Sequence, residues 1–358
     1  MTLEKIILSL WYPDLKPGAN QVLHKLLSQL FYLYFKPLEF FYKIIIKLRL
    51  FLYKKQIFKS YRSKLPVVIV GNITVGGSGK TPLVIALSKL LLAQGLRPAI
   101  ILRGYSSNND KKHITVVNHK TSVKQCGDEA KLIYNNTLCP VITCKQRVTA
   151  VKYLEDNNLC DIVISDDGLQ HYQLDRDIEI CVVDGKRKFG NNQLLPLGPL
   201  REPIERLKTV DFVLNKSIRP KGLMNLQSGQ NTELSGGCVY AVSAIGNNDS
   251  FVDSLVKLGF KDFKTTQYPD HYNYTAEDIN SILGDSKNIL LTTEKDAVKI
   301  SELAANIVNY HNIYFLKVES ELTTEFTDIF LNKVSNLLNL NLKINKPSNH
   351  TEVIDTLC

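Results

Sequence analysis

Short apolar runs and longer amphipathic stretches alternate along the chain from residue 66 onward. The run "PVVIV" (66–70) is β-branched and bounded by Pro and Gly, which predicts a buried strand. The next stretch, "KTPLVIALSKLLLAQG" (80–95), has apolar residues at helical spacing and ends in Gly95, which predicts a helix that stops there. Further runs repeat the strand pattern: "RPAIILRGY" (97–105), "DIVIS" (161–165), "EICVVD" (179–184) and "VDFVLN" (210–215). Strands that alternate with helices predict an α/β fold with a doubly wound parallel sheet.

Polar stretches divide this pattern into regions. Residues 106–125 are polar and predict a loop or hairpin, whereas residues 216–236, polar and rich in glycine, predict a linker. After the linker, apolar runs and helical patterns continue and predict a second, smaller α/β unit. We divide the chain into an N-terminal segment (1–64), a core (65–220), the smaller unit (221–345) and a tail (346–358).

The stretch "GNITVGGSGKTPL" (71–83) lies between the first predicted strand and its helix. Glycines without a Cβ let the backbone curl and direct several N–H groups at an anion beside a helix N-terminus. The stretch contains Gly-Lys-Thr, but Thr74 stands where the strict phosphate-loop pattern has its first glycine. We predict that Lys80 reaches the outer phosphates of a nucleotide and that the Thr81 hydroxyl binds Mg²⁺. The predicted nucleotide-binding residues are Thr74, Val75, Gly76, Gly77, Ser78, Gly79, Lys80 and Thr81.

An acidic pair follows a later strand. The stretch "VISDDGLQH" (163–171) places Asp166 and Asp167 at the end of an apolar run. By itself an Asp-Asp-Gly sequence is more often a turn. In a phosphate-loop enzyme, an acid at this position binds Mg²⁺ or its water opposite the loop threonine. Beside the glycine-rich stretch, the metal interpretation is therefore favoured.

Three further residues are candidates for chemistry. Asp128 begins a predicted helix in "CGDEA", a position where an acid is usually a cap. The stretch "YPDHYNY" (268–274) supplies His271 from the smaller unit, and a His that meets an Asp across a cleft forms an acid–base pair. The sequence alone does not pair these two residues. Arg201, in "LPLGPLREP" (195–203), follows a rigid turn and is placed to neutralise phosphate charge.

Positive charge is concentrated in the first 64 residues. They hold 12 Lys and Arg but 3 Asp and Glu, which accounts for the whole net charge of +9. The stretch 26–55 is apolar, aromatic and basic, and Lys36 and Pro37 interrupt it before an uncharged run reaches the ~18–20 residues of a spanning helix. We predict a helix that lies at a membrane interface or dips into it; a helix packed on the core is the alternative. The many Leu, Ile and Phe residues argue against a nucleic-acid arm.

Length and cysteine usage narrow the class further. A chain of 358 residues can form two modest domains. Its seven cysteines are scattered without C-x-x-C spacing, which predicts reduced thiols and neither a disulfide framework nor a zinc site. No signal peptide is predicted, because Glu4 lies where positive charge is required and no small-residue cleavage site follows. A membrane contact would then be at the cytoplasmic face, where ATP is.

Seven motifs in order carry a resemblance to one family. They are "TVGGSGKTP", "RGY", "GDEA", "SDDGLQH", "GPLREP", "DHYNY" and "TEKDAVK". Together they resemble the tetraacyldisaccharide 4'-kinases, the lipid A kinases of Gram-negative bacteria, over roughly residues 10–340. The resemblance implies an ATP- and Mg²⁺-dependent enzyme at the cytoplasmic face of the inner membrane. Its substrate would be a tetraacylated glucosamine disaccharide 1-phosphate, phosphorylated on the 4'-hydroxyl to give lipid IVA.

The resemblance also implies roles for individual residues. It places the catalytic base at Asp128, with His271 as its partner. Lys80, Arg201 and Mg²⁺ would stabilise the transferred phosphoryl group. The residues assigned to the metal are Thr81, Asp166, Asp167 and Glu202. The implied partners are the acylated disaccharide and the inner-membrane surface; neither a nucleic acid nor an obligate protein partner is expected.

Two other classes of protein remain as alternatives. A GTPase or ATPase switch that reads guanine needs Asn-Lys-x-Asp, but "LNKS" (214–217) lacks the Asp that should follow, and "TEKD" (293–296) lacks the Asn. A membrane-binding module without catalysis would not need Lys80, Thr81 and the acidic pair. Turnover of nucleotide discriminates the second alternative from an enzyme.

Overall fold

The apolar runs form two separate sheets in the computed structural model. The described residues are 3–13, 21–76, 79–104, 110–232, 234, 238–340 and 342, with side chains described for all of these except 3–5 and 21–27. Within these residues, seven strands form the larger sheet and five form the smaller one. The two sheets follow one another along the chain, so the division into two α/β units that the sequence predicts is confirmed.

The larger sheet is almost entirely parallel. Its strands are β1 (Val67–Gly71), β2 (Pro98–Leu102), β3 (Thr115–Val117), β4 (Val141–Thr143), β5 (Ile162–Asp166), β6 (Ile178–Val183) and β7 (Phe212–Asn215). Their order is β3-β4-β2-β5-β1-β6-β7, and only β3 and β4 pair antiparallel. Since β1 lies between β5 and β6, the residues that follow β1 and β5 meet at one edge of the sheet.

Helices cover both faces of this sheet, as a doubly wound fold requires. They are α3 (Lys80–Ala93), α4 (Val123–Cys126), α5 (Asp128–Thr137) and α6 (Arg147–Asp156). Val68 and Val70 of β1 belong to the core that contains α3, whereas Val67 and Ile69 belong to the core that contains α6. Neighbouring residues of a strand point to opposite faces, so a continuous apolar run is buried on both. The predicted doubly wound sheet is therefore confirmed.

The smaller sheet has the order β10-β9-β11-β12-β8. Its strands are β8 (Ile218–Asn225), β9 (Cys238–Ser243), β10 (Lys264–Gln267), β11 (Asn288–Thr293) and β12 (Ile313–Ser320). All pairs are parallel except that of β8 with β12. The helices that accompany this sheet are α7 (Asn248–Lys257), α8 (Ala276–Leu283) and α9 (Glu294–Ile300). Thr293 caps α9 by accepting the N–H of Asp296, which fixes α9 directly at the end of β11.

Two polar stretches contain more regular structure than their composition predicts. The described part of residues 106–125 holds β3, which pairs with β4, and the start of α4. The predicted linker, residues 216–236, contains β8, and this strand runs across the predicted boundary at residue 220. Polar side chains alternate with apolar ones in β8, and its pairing with β12 supplies the burial that the sequence pattern alone does not reveal.

The last helix, α10 (Thr324–Leu338), follows the smaller sheet in sequence but packs in the core of the larger one. Phe326, Phe330 and Val334 belong to the same core as α3, and the ring of Phe326 lies 5.0 Å from that of Phe212 in β7. The region predicted as 221–345 therefore contributes to both units. The predicted tail, 346–358, lies outside the described residues.

Two helices, α1 (Leu3–Trp11) and α2 (Gln21–Lys54), precede the sheets, and α2 contains Pro37 within it. One side of α2 packs on the larger unit, where Tyr42 and Ile46 contact the core that contains α6. The other side exposes large apolar residues, among them Leu33, Tyr34, Phe40, Phe41, Ile45 and Leu48. Of the described helices, none is both long enough and apolar enough to cross a membrane.

Phe330→Ala should lower the free energy of unfolding by about 3–5 kcal/mol, because it leaves a cavity in a packed core. Phe330 is fully buried and stacks on Phe326 with ring centroids 5.7 Å apart. Urea unfolding followed by circular dichroism measures the change. The control is Ile329→Ala on the same helix, since Ile329 is 45% exposed. Equal losses for the two variants would contradict the packing of α10 on the larger sheet.

Candidate active site

The glycine-rich stretch forms the turn from β1 into α3. Gly76 and Gly79 have φ angles of 109° and 80°, in the region that favours glycine. Gly79 is the residue immediately before α3, so the free N–H groups of the helix start face this turn. Gly77 and Ser78, also predicted to bind nucleotide, lie outside the described residues. The turn has the local backbone that a phosphate-binding loop requires.

The first part of the turn is held by neighbouring groups. The N–H of Val75 donates to the carbonyl of Pro199 at 2.8 Å. Thr74, which replaces the usual first glycine, accepts a hydrogen bond from the Asn72 amide at 3.2 Å, and Asn72 Oδ1 accepts one from Lys80 at 3.1 Å. Asn72 is not among the residues predicted from the sequence to bind nucleotide. Its position directly after a buried strand and before the turn could have indicated it.

Lys80 and Arg201 converge on Asp167. Lys80 Nζ lies 3.2 Å from Asp167 Oδ1, and Arg201 Nη1 donates to both carboxylate oxygens at 3.1 Å. Burial acts to raise the pKa of Asp167, but the two cations outweigh it and lower that pKa to about 2. The structure thus brings together the two cationic side chains that were expected to contact phosphate.

Asp166 ends β5 and meets Thr81 at the start of α3. Thr81 Oγ1 donates to Asp166 Oδ2 at 3.1 Å, while Asp166 Oδ1 is buried without a hydrogen-bond partner among the described residues. Burial, reinforced by the charge of Glu129, raises the pKa of Asp166. A buried carboxylate oxygen without a partner fits a bound cation, so Thr81 and Asp166 are the residues that would hold Mg²⁺.

The protein offers this metal few ligands of its own. Among the described residues, no group of three or more His, Cys, Asp or Glu is arranged to hold a metal ion. Mg²⁺ bound with a nucleotide typically takes one or two protein oxygens and completes its shell with phosphate and water. Thr81 and Asp166 fit that mode of binding.

The side chain of Glu202 contacts other residues than Thr81 and Asp166. Its Oε1 accepts a hydrogen bond from the Tyr172 hydroxyl at 2.5 Å, and its Oε2 lies 3.5 Å from Arg206 Nε. The side chain is buried, and burial raises its pKa. These contacts place Glu202 beside Tyr172 and Arg206. Its Oε2, like Asp166 Oδ1, is buried without a hydrogen-bond partner among the described residues, and its assignment to the metal stays a prediction.

Arg147 is a buried cation that fixes the backbone of the acidic pair. Its Nη2 donates to the carbonyl oxygens of Asp166 and Asp167 at 2.6 and 3.0 Å, and its Nε donates to Ser165 Oγ at 3.0 Å. Hydrogen bonds from a charged donor are stronger than those from a neutral one. Arg147 therefore holds the end of β5 in place from the side of α6.

Asp128 and His271 come from different units and meet. His271 Nδ1 lies 3.1 Å from Asp128 Oδ2, although 143 positions separate them in the sequence. Two lysines of α9, Lys295 and Lys299, lie 3.8 and 3.5 Å from the same oxygen. Burial acts to raise the pKa of Asp128, but the hydrogen bond from His271 and the lysine charges lower it to about 2. The hydrogen bond to Asp128 in turn raises the pKa of His271.

Asp128 and the acidic pair line a cleft of about 700 Å³. Asp128 and Glu129 form one side of it, and Asp166 and Asp167 another. Its cationic lining residues are Arg49, Arg103, Lys145, Arg147 and Arg201. Arg49 belongs to α2, so the N-terminal helix forms part of the wall. The excess of positive charge suits an anionic ligand.

The fold and the site together define a class of protein. A parallel sheet carries a glycine-rich turn and a helix that begins with Lys80 and Thr81, and Asp166 ends the neighbouring strand. Beside it lies an acid–base pair, Asp128 with His271. This arrangement is that of a phosphate-loop phosphotransferase.

Comparisons with known proteins define the family. The family model described as tetraacyldisaccharide-1-P 4'-kinase matches residues 31–335. The tetraacyldisaccharide 4'-kinase of Psychromonas ingrahamii is 42% identical over 311 residues, which cover 84% of this chain and 95% of the relative. The enzyme of the same name from Coxiella burnetii, strain RSA 331, is 40% identical over 306 residues, which cover 84% of this chain and 91% of the relative.

A solved structure agrees with these sequence comparisons. LpxK from Aquifex aeolicus, crystallised in complex with ATP, superposes with a TM-score of 0.69 at 26% identity. The match covers 84% of this chain and 98% of that one. The chain belongs to the tetraacyldisaccharide-1-phosphate 4'-kinase family, and it is a kinase of lipid A biosynthesis.

Asp128→Asn should lower the pKa of His271, because the hydrogen-bonded carboxylate that raises it is removed while the lysine charges remain. The histidine C–H resonances followed by NMR against pH measure this shift, and His271→Gln identifies the signal. An unchanged His271 titration would show that the two side chains do not interact in solution.

Proposed function

We propose that this kinase uses Asp128 as the base that accepts the proton of the 4'-hydroxyl while the γ-phosphoryl group of ATP is transferred to it. The observation that carries this proposal is the 3.1 Å contact between Asp128 and His271 in the cleft that also contains the Asp166–Asp167 pair. An alcohol is a poor nucleophile, and a positioned base assists it. The acceptor is a tetraacylated glucosamine disaccharide 1-phosphate.

The nucleotide would occupy the turn between β1 and α3. Gly79 and the start of α3 would present N–H groups to its phosphates. Lys80 and Arg201 already lie together on Asp167, so a phosphate group could take the place of that carboxylate between them. Phosphoryl transfer needs alignment and charge neutralisation more than covalent help, and these two cations supply both.

Thr81 and Asp166 would hold Mg²⁺ beside this site. Mg²⁺, when bound, neutralises charge on the nucleotide phosphates. The orphaned Oδ1 of Asp166 supports this assignment. The contacts of Asp167 with Lys80 and Arg201 support a role in orienting those cations, and Glu202, engaged by Tyr172, would support Arg201 from behind.

The acceptor would lie in the basic cleft. Its phosphate is anionic, and Arg49, Arg103 and Lys145 line the cleft. The hydroxyl would be directed to Asp128, with His271 orienting the carboxylate from the smaller unit. The N-terminal helix α2 forms the neighbouring wall, which places acyl chains close to its apolar side.

The exposed side of α2 would rest on the cytoplasmic face of the inner membrane. A substrate with four acyl chains leaves a bilayer at a cost of about 0.8 kcal/mol per CH₂ group, so the enzyme has to work at the lipid surface. The apolar residues on the outer side of α2, together with its Lys and Arg residues, suit the interfacial region of an anionic membrane.

The test of the reaction is transfer of ³²P from γ-labelled ATP to a detergent-dispersed tetraacyl disaccharide 1-phosphate, with and without Mg²⁺. We expect Mg²⁺-dependent label in the lipid. Label that appears only as free phosphate, with none in the lipid, would favour a nucleotide hydrolase and would remove Asp128 and His271 from their assigned roles.

Asp128→Asn should lower kcat for lipid phosphorylation by about 10²–10⁴-fold, the usual contribution of a general base. ATP binding should persist, because Asp128 does not belong to the nucleotide turn. Initial rates in the ³²P assay and equilibrium binding of a fluorescent ATP analogue measure the two effects. The matched control is Asp262→Asn, an exposed acid of the smaller unit. Wild-type turnover in Asp128→Asn would exclude Asp128 as the base.

Replacing Leu33, Phe41 and Ile45 together by Ser should weaken binding to vesicles by at least about tenfold, since each side chain contributes about 1.5–3 kcal/mol when fully buried in an apolar environment. These residues are 70%, 61% and 62% exposed on α2. Co-sedimentation with vesicles of phosphatidylethanolamine and phosphatidylglycerol measures the effect. The control replaces Leu138 and Val256, which are exposed elsewhere. Equal sedimentation of all three proteins would contradict the interfacial role of α2.

A further inference from the structure

Lys299 is a buried lysine for which the reaction described above has no role. Its side chain is 7% exposed, and it lies near the end of α9. Lysine is rarely buried unless its charge is paired. Its ammonium carries three N–H groups and has three acceptors. They are Asp296 Oδ1 at 3.0 Å, the Tyr272 carbonyl oxygen at 3.2 Å and Asp128 Oδ2 at 3.5 Å.

Two of these acceptors fix the ammonium within the smaller unit. Asp296 is fully buried, and its Oδ2 accepts hydrogen bonds from the Thr293 hydroxyl at 2.7 Å and the Ala244 N–H at 2.9 Å. The Tyr274 ring also lies 5.6 Å from Lys299 Nζ. An ammonium fixed in this way has little freedom, and among the described residues its contact in the larger unit is the 3.5 Å ion pair with Asp128 Oδ2.

The two oxygens of Asp128 have different surroundings. Oδ2 is contacted by His271, Lys295 and Lys299, all from the smaller unit. Among the contacts of the described residues, Oδ1 accepts a hydrogen bond from the N–H of Glu129 at 2.9 Å. A carboxylate oxygen can accept a second hydrogen bond. Oδ1 is therefore the oxygen that remains for a substrate hydroxyl.

We propose that Lys299 is a positioning residue for the phosphoryl transfer: its ammonium holds Asp128 Oδ2 and keeps this buried carboxyl ionised, so that Oδ1 is presented to the acceptor hydroxyl. The inference rests on the proposed function, in which Asp128 is the base. Lys295 contributes charge as well, but it lies closer to Glu129, at 3.1 Å, than to Asp128, at 3.8 Å. Lys299 is the more buried of the two lysines, although the charge of Lys295 has the larger effect on the pKa of Asp128.

Several other titratable or charged groups face this carboxyl. From its own unit they are Cys126 and Glu129, and across the cleft Arg103, Lys145 and Arg147. From the smaller unit they are Asp270, His271, Lys295 and Asp296. All of these groups stay unchanged when Lys299 alone is replaced. A difference between that variant and the wild type therefore reports the contribution of Lys299.

The experiment uses the full chain with Lys299→Met, which keeps an unbranched side chain and removes its charge. Loss of an opposite charge within about 4–6 Å should raise the pKa of Asp128 by about 1–3 units. We expect kcat for lipid phosphorylation to equal that of the wild type near pH 8.5 and to fall below it at acid pH, by about twofold near pH 5 and about tenfold near pH 4 for the full three-unit shift, with both KM values within about twofold. A merely structural role would lower activity to the same extent at every pH.

A second readout does not depend on catalysis. Lys299 and His271 contact the same oxygen, and a like charge nearby disfavours imidazolium. The pKa of His271, measured by NMR, should therefore be higher in Lys299→Met than in the wild type. In Lys299→Met the Oδ1 atom of Asp296 would lose its cationic partner. The double variant Asp296→Asn with Lys299→Met serves as a second test, because it does not leave this acid charged and without a cation. Lys287→Met, an exposed lysine of the same unit, is the control.

The outcomes separate the two proposals. A wild-type pH profile and an unshifted His271 titration in folded Lys299→Met and in the double variant would overturn the role of Lys299, while an inactive Asp128→Asn keeps the base assignment. Full transfer by Asp128→Asn would remove the base itself, and the positioning role of Lys299 with it. Loss of kcat at acid pH together with a raised His271 pKa supports the inference.

Discussion

The burial of the Asp128 carboxylate is the constraint on which this structure depends. A buried charge is unfavourable unless it is paired, and the larger unit offers it little more than the first turn of α5. The smaller unit supplies the rest, with His271, Lys295 and Lys299 all at one oxygen. The two α/β units thus meet in one cluster of charged side chains. The helix α10 reinforces this arrangement, because it follows the smaller sheet and packs in the core of the larger one.

The charge distribution separates the acids of the site into different tasks. Cations and hydrogen bonds lower the pKa values of Asp128 and Asp167, so both carboxylates stay ionised without a metal. Asp166 lacks such partners on one oxygen, and burial raises its pKa. A divalent cation with nucleotide phosphates would complete its surroundings. Three carboxylates in one cleft therefore suit a base, an orienting group and a metal ligand, according to what surrounds each.

The N-terminal helix links this chemistry to a lipid substrate. One side of α2 is fixed to the larger unit, where the Tyr42 hydroxyl donates to the carbonyl of Arg201 at 3.1 Å and Arg49 lines the cleft. The other side is apolar and exposed. A helix attached in this way connects an exposed apolar surface to Arg201 in the candidate active site. Family membership identifies the reaction. The attachment of α2 beside the cleft gives a physical reason why the enzyme contains this helix.

The local features could be predicted from residue type and periodicity: the β1 strand, the glycine-rich turn, Lys80 and Thr81 at the start of α3, and the concentration of charge before residue 65. Each depends on neighbours a few residues away, so the pattern of the chain suffices. Other features became visible in the folded chain: the pairing of Asp128 with His271, the strand β8 in a polar stretch, the return of α10 to the larger sheet and the contacts of Glu202 and Lys299. These features depend on partners that are distant in the sequence, and their energies come from burial and pairing that exist only after the two units have packed together.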